Sequence, residues 1–292
     1  GVKGTRIDFI SYHIYGFSGK WLNSEPHIQP HVQRFSQSVL WLKRLMKDFP
    51  ELKGTEFHIN EWGMSSNFFR TVKDHPDLVY RNNEESPLFL VKLVNSLYQI
   101  EDKYNFPISM LLYWGFCGEA DAKDVFAGKR ELTIAENIPK PIQTGFEMLA
   151  KLKKKRIQVL RQKKDSRFGV LATKSDNGEI AIIAYNYNET DRRGDNKEKV
   201  TLQFVGLKPN STYHVEQTKL DQNNNNTYSA WEKAGSPAYL SKAEIAKLKD
   251  AASLDSRRKE DFVTDNNGNA KLEIDMATHT MQLLEIEKSP GF

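Results

Sequence analysis

The chain has 292 residues, which is long enough for about two domains. Its 42 Lys and Arg against 38 Asp and Glu leave a net charge of +4, which excludes a strongly basic nucleic-acid module and an acidic tail protein. Hydrophobic residues at 39% supply real cores and exclude wholesale disorder, and the single cysteine, Cys117, excludes an intrachain disulfide.

Residues 7–16 read as a buried strand ending at Gly16. A loop rich in Ser, Pro and His follows. Residues 31–48 then carry Val32, Phe35, Val39, Leu42, Leu45 and Met46 at helical spacing, and Pro50 stops that helix. Residues 55–62 form a second short strand, broken by Gly63. The polar stretch from 64 to about 85 is a loop of the length that often carries function. Residues 87–98 return to helical spacing, with Leu88, Val91, Val94, Leu97 and Tyr98 as the apolar face. Residues 108–116 form a third, almost continuously apolar strand, and a helix over 142–152 follows Pro141. Strand and helix alternate three times, which predicts a parallel α/β architecture whose strands are apolar on both faces and covered by helices. The long loops follow the strands' C-terminal ends, where parallel α/β enzymes hold their chemistry.

The pattern changes near residue 153. Lys153-Lys154-Lys155-Arg156 marks a junction, so domains are expected over 1–152 and 153–292. Short β patterns follow at 168–174, then 179–187 after an Asp176-Asn177-Gly178 turn, then 199–205, 212–219, 270–275 and 279–287. This is the signature of an antiparallel β-sandwich. One helix at roughly 242–254 interrupts it, with Ser241 and Glu244 spaced as a capping box. The four asparagines 223–226 read as a mobile polar loop.

Asn60-Glu61-Trp62 closes the second strand and places a carboxylate at the C-terminal rim of a parallel sheet. A carboxylate there suits a glycosidase nucleophile, although a surface Glu just past a strand is the plainer reading of this tripeptide alone. The first strand ends in Ser11-Tyr12-His13-Ile14-Tyr15-Gly16, so a His and two Tyr can point at the same rim and hold the carboxylate ionised and aimed. The third carries Tyr113-Trp114-Gly115-Phe116, a stacking platform for a sugar ring. Any one of these residues is as easily core; three successive strands ending this way are harder to explain so.

These stretches, in this order, resemble the C-terminal part of a family 39 glycoside hydrolase, the family of β-xylosidases and α-L-iduronidases. Residues 8–15 resemble the sixth barrel strand, His58-Ile59-Asn60-Glu61-Trp62 the seventh and Tyr113-Trp114-Gly115-Phe116 the eighth. Asn137-Ile138-Pro139-Lys140-Pro141 and the helix after it resemble the segment that closes the barrel. Gly169-Val170-Leu171-Ala172, Ala184-Tyr185-Asn186-Tyr187, Trp231 and Gly235-Ser236-Pro237 resemble the family's appended β-domain. The resemblance implies a partial (β/α)8 TIM barrel, its last three βα units, followed by a β-sandwich. It implies a retaining O-glycoside hydrolase with Glu61 as nucleophile and no cofactor. His13, Tyr15, Asn60, Trp62 and Trp114 would meet the sugar.

Two departures stand out. The family's Asp shortly after the Tyr-Trp-x-Phe stretch is replaced by Cys117-Gly118-Glu119, so Glu119 or Asp121 is expected to stand in for it. The family's acid/base is a Glu after an Asn on the fourth strand, and strands one to five have no counterpart here. Asn83-Glu84 does not replace it, because it follows the nucleophile strand.

The chain alone is therefore expected to be catalytically poor. It is expected to self-associate through its exposed barrel edge or to pair with a missing N-terminal half. The alternative is a truncated or degenerate carbohydrate-binding protein without hydrolytic activity. No nucleic-acid or membrane partner is expected: no apolar run reaches the ~18 residues of a membrane span. No signal peptide is visible, and the family habit implies a periplasmic or extracellular location, or a lysosomal one in a eukaryote. The basic run from Lys151 to Lys164 reads as a solvated linker rather than a polyanion site. Asn188-Glu189-Thr190 and Asn210-Ser211-Thr212 fit glycosylation acceptors but are incidental in an Asn-rich chain. No histidine spacing suggests a metal site.

Overall fold

A computed structural model describes residues 4, 6–17, 30–66, 70–115, 125–162, 165–190, 197–254 and 256–289. The first half contains β1 (Phe9–Phe17), α1 (Gln33–Leu45), β2 (Glu56–Ser65), α2 (Glu85–Tyr104) and β3 (Met110–Tyr113). A short hairpin, β4 (Thr133–Ile134) and β5 (Ile138–Pro139), then leads into α3 (Pro141–Ala150). The three long strands form a parallel sheet in the order β1-β2-β3, as their alternation with helices predicts.

The expectation of helices on both faces is not met. Tyr12, Ile14, Leu111 and Tyr113 pack toward the helices, while Phe9, His13, Met110, Leu112 and Trp114 stand on the other face, exposed. The described helices pack on one face only, and strands that read as apolar throughout keep their second apolar face open.

α2 explains how the halves join. Leu88, Phe89, Leu90, Val91, Leu93, Leu97 and Ile100 are all buried, which is more than the single apolar stripe read from the sequence. One side meets Ile59, Trp62 and Met64 of β2. The other meets Leu171, Ala181, Ile183 and Tyr185 of the second half, in one continuous core. At that seam Asn95 Nδ2 donates to the Tyr185 hydroxyl at 3.0 Å. Glu189 adds a polar tie: it accepts from the Val32 amide at the start of α1 and lies 3.5 Å from Lys92 of α2.

The second half contains β6 (Lys155–Arg156), β7 (Phe168–Lys174), β8 (Ile180–Asn186), β9 (Lys197–Phe204) and β10 (Thr212–Leu220). It continues with α4 (Thr227–Lys233), α5 (Lys242–Ala251), β11 (Ser256–Val263), β12 (Ala270–Ala277) and β13 (Thr280–Lys288). Six strands form an antiparallel sheet in the order β11-β10-β13-β8-β7-β6, and β12 pairs with β9. β8 is buried along its whole length because Ala181 and Ile183 face α2 while Ile180 and Ile182 face β12.

Four local expectations change. β2 runs through Gly63 to Ser65 instead of breaking there. β11 was not legible because six of its eight residues are polar or charged; it is an edge strand, where charge is favoured. The asparagine tract is a hydrogen-bonded turn, not a mobile loop. Asp221 Oδ1 accepts from the amides of Asn223 and Asn224, Asn225 is left-handed at φ 50°, and Asn226 caps the unforeseen α4 by accepting from the Ser229 amide. The third strand is shorter than expected. The predicted capping box is present, with the Ser241 amide donating to Glu244 Oε2 at 2.6 Å and the Glu244 amide to Ser241 Oγ at 3.3 Å.

Much of the basic junction is ion-paired. Lys153 meets Glu179 at 3.1 Å, while Arg156 meets Glu101 and Asp102 at 3.0 Å each and lies over the Tyr98 ring.

Candidate active site

The site sits at the C-terminal end of the parallel sheet, on its open face. Side chains alternate along β1, so His13 and Tyr15 share the face opposite Tyr12 and Ile14. β2 departs from strict alternation. Tyr12 pairs with Ile59 but His13 pairs with Glu61, so Asn60 is an extra, bulged residue. The bulge lets Ile59 and Trp62, three positions apart, both enter the core. Asn60 and Glu61 are left on the open side, with Glu61 directly opposite His13.

Two positions later Gly63 pairs with Tyr15. A Cβ at Gly63 would lie 3.2 Å from the Tyr15 ring, so the glycine leaves room for the ring. The Tyr15 hydroxyl then donates to Glu61 Oε1. His13 Nδ1 lies 3.2 Å from the second oxygen, Oε2. The Glu61 side chain is 15% exposed and that of His13 57%, so the carboxylate is enclosed but reachable. Burial first, then the bond to Glu61, pushes the Tyr15 phenol up to about 12, which keeps it a hydrogen-bond donor at neutral pH.

Arg130 completes the group and was not foreseen. It donates from Nη1 to the Tyr15 hydroxyl at 2.8 Å, and its guanidinium lies 5.4 Å from the ring centroids of both Tyr15 and Trp114. Burial lowers its pKa. It comes from a stretch with no strand or helix period, so sequence pattern gave no handle on it. Trp114 sits on the open face, its amide bonded to Trp62 O at 2.8 Å.

The structure thus brings His13, Tyr15, Asn60, Glu61 and Trp114 to one rim. Trp62, expected among the sugar contacts, is instead a core residue, 1% exposed, with Phe35, Phe89 and Tyr113 around it. The bulge at Asn60 is the reason. Glu119 and Asp121 lie outside the described residues. Glu84 turns away to Asn226, whose Nδ2 donates to it at 2.8 Å. Among the described residues, no group of three or more His, Cys, Asp or Glu could hold a metal ion, and no helix is long and apolar enough to cross a membrane. The arrangement can hold an enclosed carboxylate in a fixed orientation beside an open apolar and aromatic surface, as a carboxylate nucleophile requires.

A model of glycosyl hydrolases family 39 matches residues 2–270. A curated β-xylosidase of Caldicellulosiruptor saccharolyticus is 25% identical over 291 residues, covering 98% of this chain and 55% of that protein. The structure of a bacterial orthologue of human α-L-iduronidase superposes with a TM-score of 0.76 at 17% identity, over 98% of this chain and 50% of the other. A monomeric β-xylosidase from Caulobacter crescentus CB15 superposes with a TM-score of 0.71 at 18% identity, over 97% and 56%. At these identities the structural likeness shows a shared fold. The chain spans about half the length of these relatives.

Proposed function

The chain belongs to glycosyl hydrolases family 39, and on that premise we propose that it supplies the nucleophile side of a retaining O-glycosidase active site, with Glu61 as the nucleophile. The observation that carries this reading is the double hold on one enclosed carboxylate, by the Tyr15 hydroxyl on Oε1 and by His13 on Oε2.

In this mechanism Glu61 attacks the anomeric carbon. A carbon–oxygen bond to Glu61 forms as the bond to the leaving oxygen breaks, and that oxygen takes a proton from a second carboxylic acid ~5–5.5 Å from the first. The same second group then deprotonates the water that releases the sugar. The second carboxylate comes from outside this sequence, on a strand that pairs with this sheet. β1–α1, β2–α2 and β3–α3 are then three units of a (β/α)8 barrel over residues 1–152, whose interior is the open face. Residues 153–292 form the β-sandwich. The apolar face of Phe9, Met110 and Leu112 is the surface a complementing barrel half, or a second copy, would cover. Trp114 offers its ring to the sugar, and a xyloside or an iduronide fits the reading, in a periplasmic, extracellular or lysosomal setting.

The test is Glu61→Ala in an assembly active on an aryl glycoside. Turnover is expected to fall by about 10³-fold or more while sugar affinity is largely kept. Surviving turnover overturns the assignment. Binding without turnover in the unsubstituted protein favours the carbohydrate-binding alternative.

A further inference from the structure

Residues 126–129 lead directly into Arg130, and all four of their carbonyls accept hydrogen bonds from other parts of the chain. Asn82 Nδ2 donates to Phe126 O at 2.6 Å, and the Val72 amide to Ala127 O at 2.9 Å. Arg81 Nη1 donates to Gly128 O at 3.1 Å, and Lys140 Nζ to Lys129 O at 2.8 Å. The donors come from the loop after β2, from the 3-10 turn Pro76–Arg81 and the residue after it, and from the residue before α3. Arg81 also donates through Nη2 to Ser65 O at 3.1 Å, which ties the turn to the end of the strand that carries Glu61.

This arrangement is costly. Arg81 and Lys140 are 3% and 1% exposed, and enclosing a cation is unfavourable without strong compensation. Phe126 is left-handed at φ 53°, a strained conformation for an aromatic residue, and Tyr228 and Trp231 pack against its ring. Gly128, at φ +78°, has no room for a side chain, since a Cβ would lie 2.7 Å from Val72. A chain reversal alone needs none of this, because a surface turn satisfies its carbonyls with water. What the segment presents is Arg130, held on the Tyr15 hydroxyl that in turn donates to Glu61.

We propose that Arg81, Asn82 and Lys140 are positioning residues that clamp the 126–129 carbonyls and so fix Arg130 against Tyr15 beside Glu61. The functional part of this proposal rests on the reading of Glu61 as nucleophile. Lys140 acts as a donor in either protonation state.

The test uses the full chain labelled with 15N-arginine. The Nε–H signal of Arg130 is identified by its loss in Arg130→Lys. In the unsubstituted chain this proton is expected to exchange slowly, because Arg130 is 5% exposed and its Nε is enclosed. Lys140→Met and Asn82→Ala are each expected to speed its exchange by about tenfold or more, while Met148→Leu, a core change in α3, leaves it unmoved. The second variant decides the matter if the first does not fold. An unchanged exchange rate in a folded variant overturns the proposal. Trapping of Glu61 by an activated 2-fluoroglycoside is read alongside and is expected to slow in both clamp variants. A loosened Arg130 in a chain whose Glu61 is never trapped supports the clamp and counts against the nucleophile, so the two failures are distinct.

Discussion

Lys140 makes stability depend on pH in a calculable way. Burial, opposed by Glu131 and reinforced by Arg81, brings its ammonium group from an ordinary 10.5 down to about 7. Between those values the unfolded chain holds the proton and the folded chain does not. Unfolding therefore takes up a proton, and stability rises with pH across this window. The slope approaches about 1.36 kcal/mol per pH unit in its middle, so the rise from pH 6 to pH 9 is about 2–3 kcal/mol. The perturbation that isolates it is Lys140→Met, which keeps the length of the side chain and removes the titrating group. Urea unfolding of both proteins at pH 6 and pH 9 gives a difference in which the other titrating groups cancel. The unsubstituted protein should gain about 2–3 kcal/mol on the variant over that range. A gap constant to within about 0.5 kcal/mol would refute the reasoning and place Lys140 in contact with water.

Tyr15→Phe keeps the ring and deletes the donor to Glu61. A hydrogen bond to a charged group is worth about 1.5–3 kcal/mol, so kcat/KM on an aryl glycoside should fall about 10- to 100-fold, and urea stability should fall by about 1–2 kcal/mol because Arg130 Nη1 loses this acceptor. A variant as fast as the parent removes Tyr15 from the site. Asn226→Ala loses both the cap of α4 and the bond to Glu84, and should cost about 1–2 kcal/mol in urea unfolding. Asn223→Ala, on the exposed side of the same turn, should cost less than about 0.5 kcal/mol. Equal effects would mean that the tract is not the built turn described above.

Much of this molecule is legible from its sequence because its regular elements obey simple periods. The three parallel strands, their helices and six of the antiparallel strands follow from alternation and turn residues. What escaped did so for physical reasons. A bulge adds one residue without leaving a compositional mark, and the one at Asn60 sends Trp62 into the core and turns Glu61 to the rim. α2 reads as an amphipathic helix with one apolar face, but it is buried on two sides: Phe89 packs on Phe35 and Trp62 of the first half, while Asn95 meets Tyr185 of the second. β11 hides its strand character behind charge suited to an edge. Arg81, Arg130 and Lys140 read as surface cations, since nothing local distinguishes a lysine that will be buried from one that will not. His13, Tyr15, Glu61 and Trp114 stand out at strand ends, because a parallel sheet brings those ends to one rim, and the family resemblance is what assigns them roles.

The central claim is that Glu61 is a nucleophile, and covalent trapping tests it most directly. A 2-deoxy-2-fluoroglycoside with a dinitrophenolate leaving group needs no proton from a general acid, so the reaction reports the nucleophile without the second carboxylate. Peptide mass spectrometry after incubation should find the fluorosugar esterified to Glu61, and Glu61→Gln should abolish the adduct. A stable adduct on another carboxylate would contradict the account, as would release of dinitrophenolate that Glu61→Gln leaves unchanged.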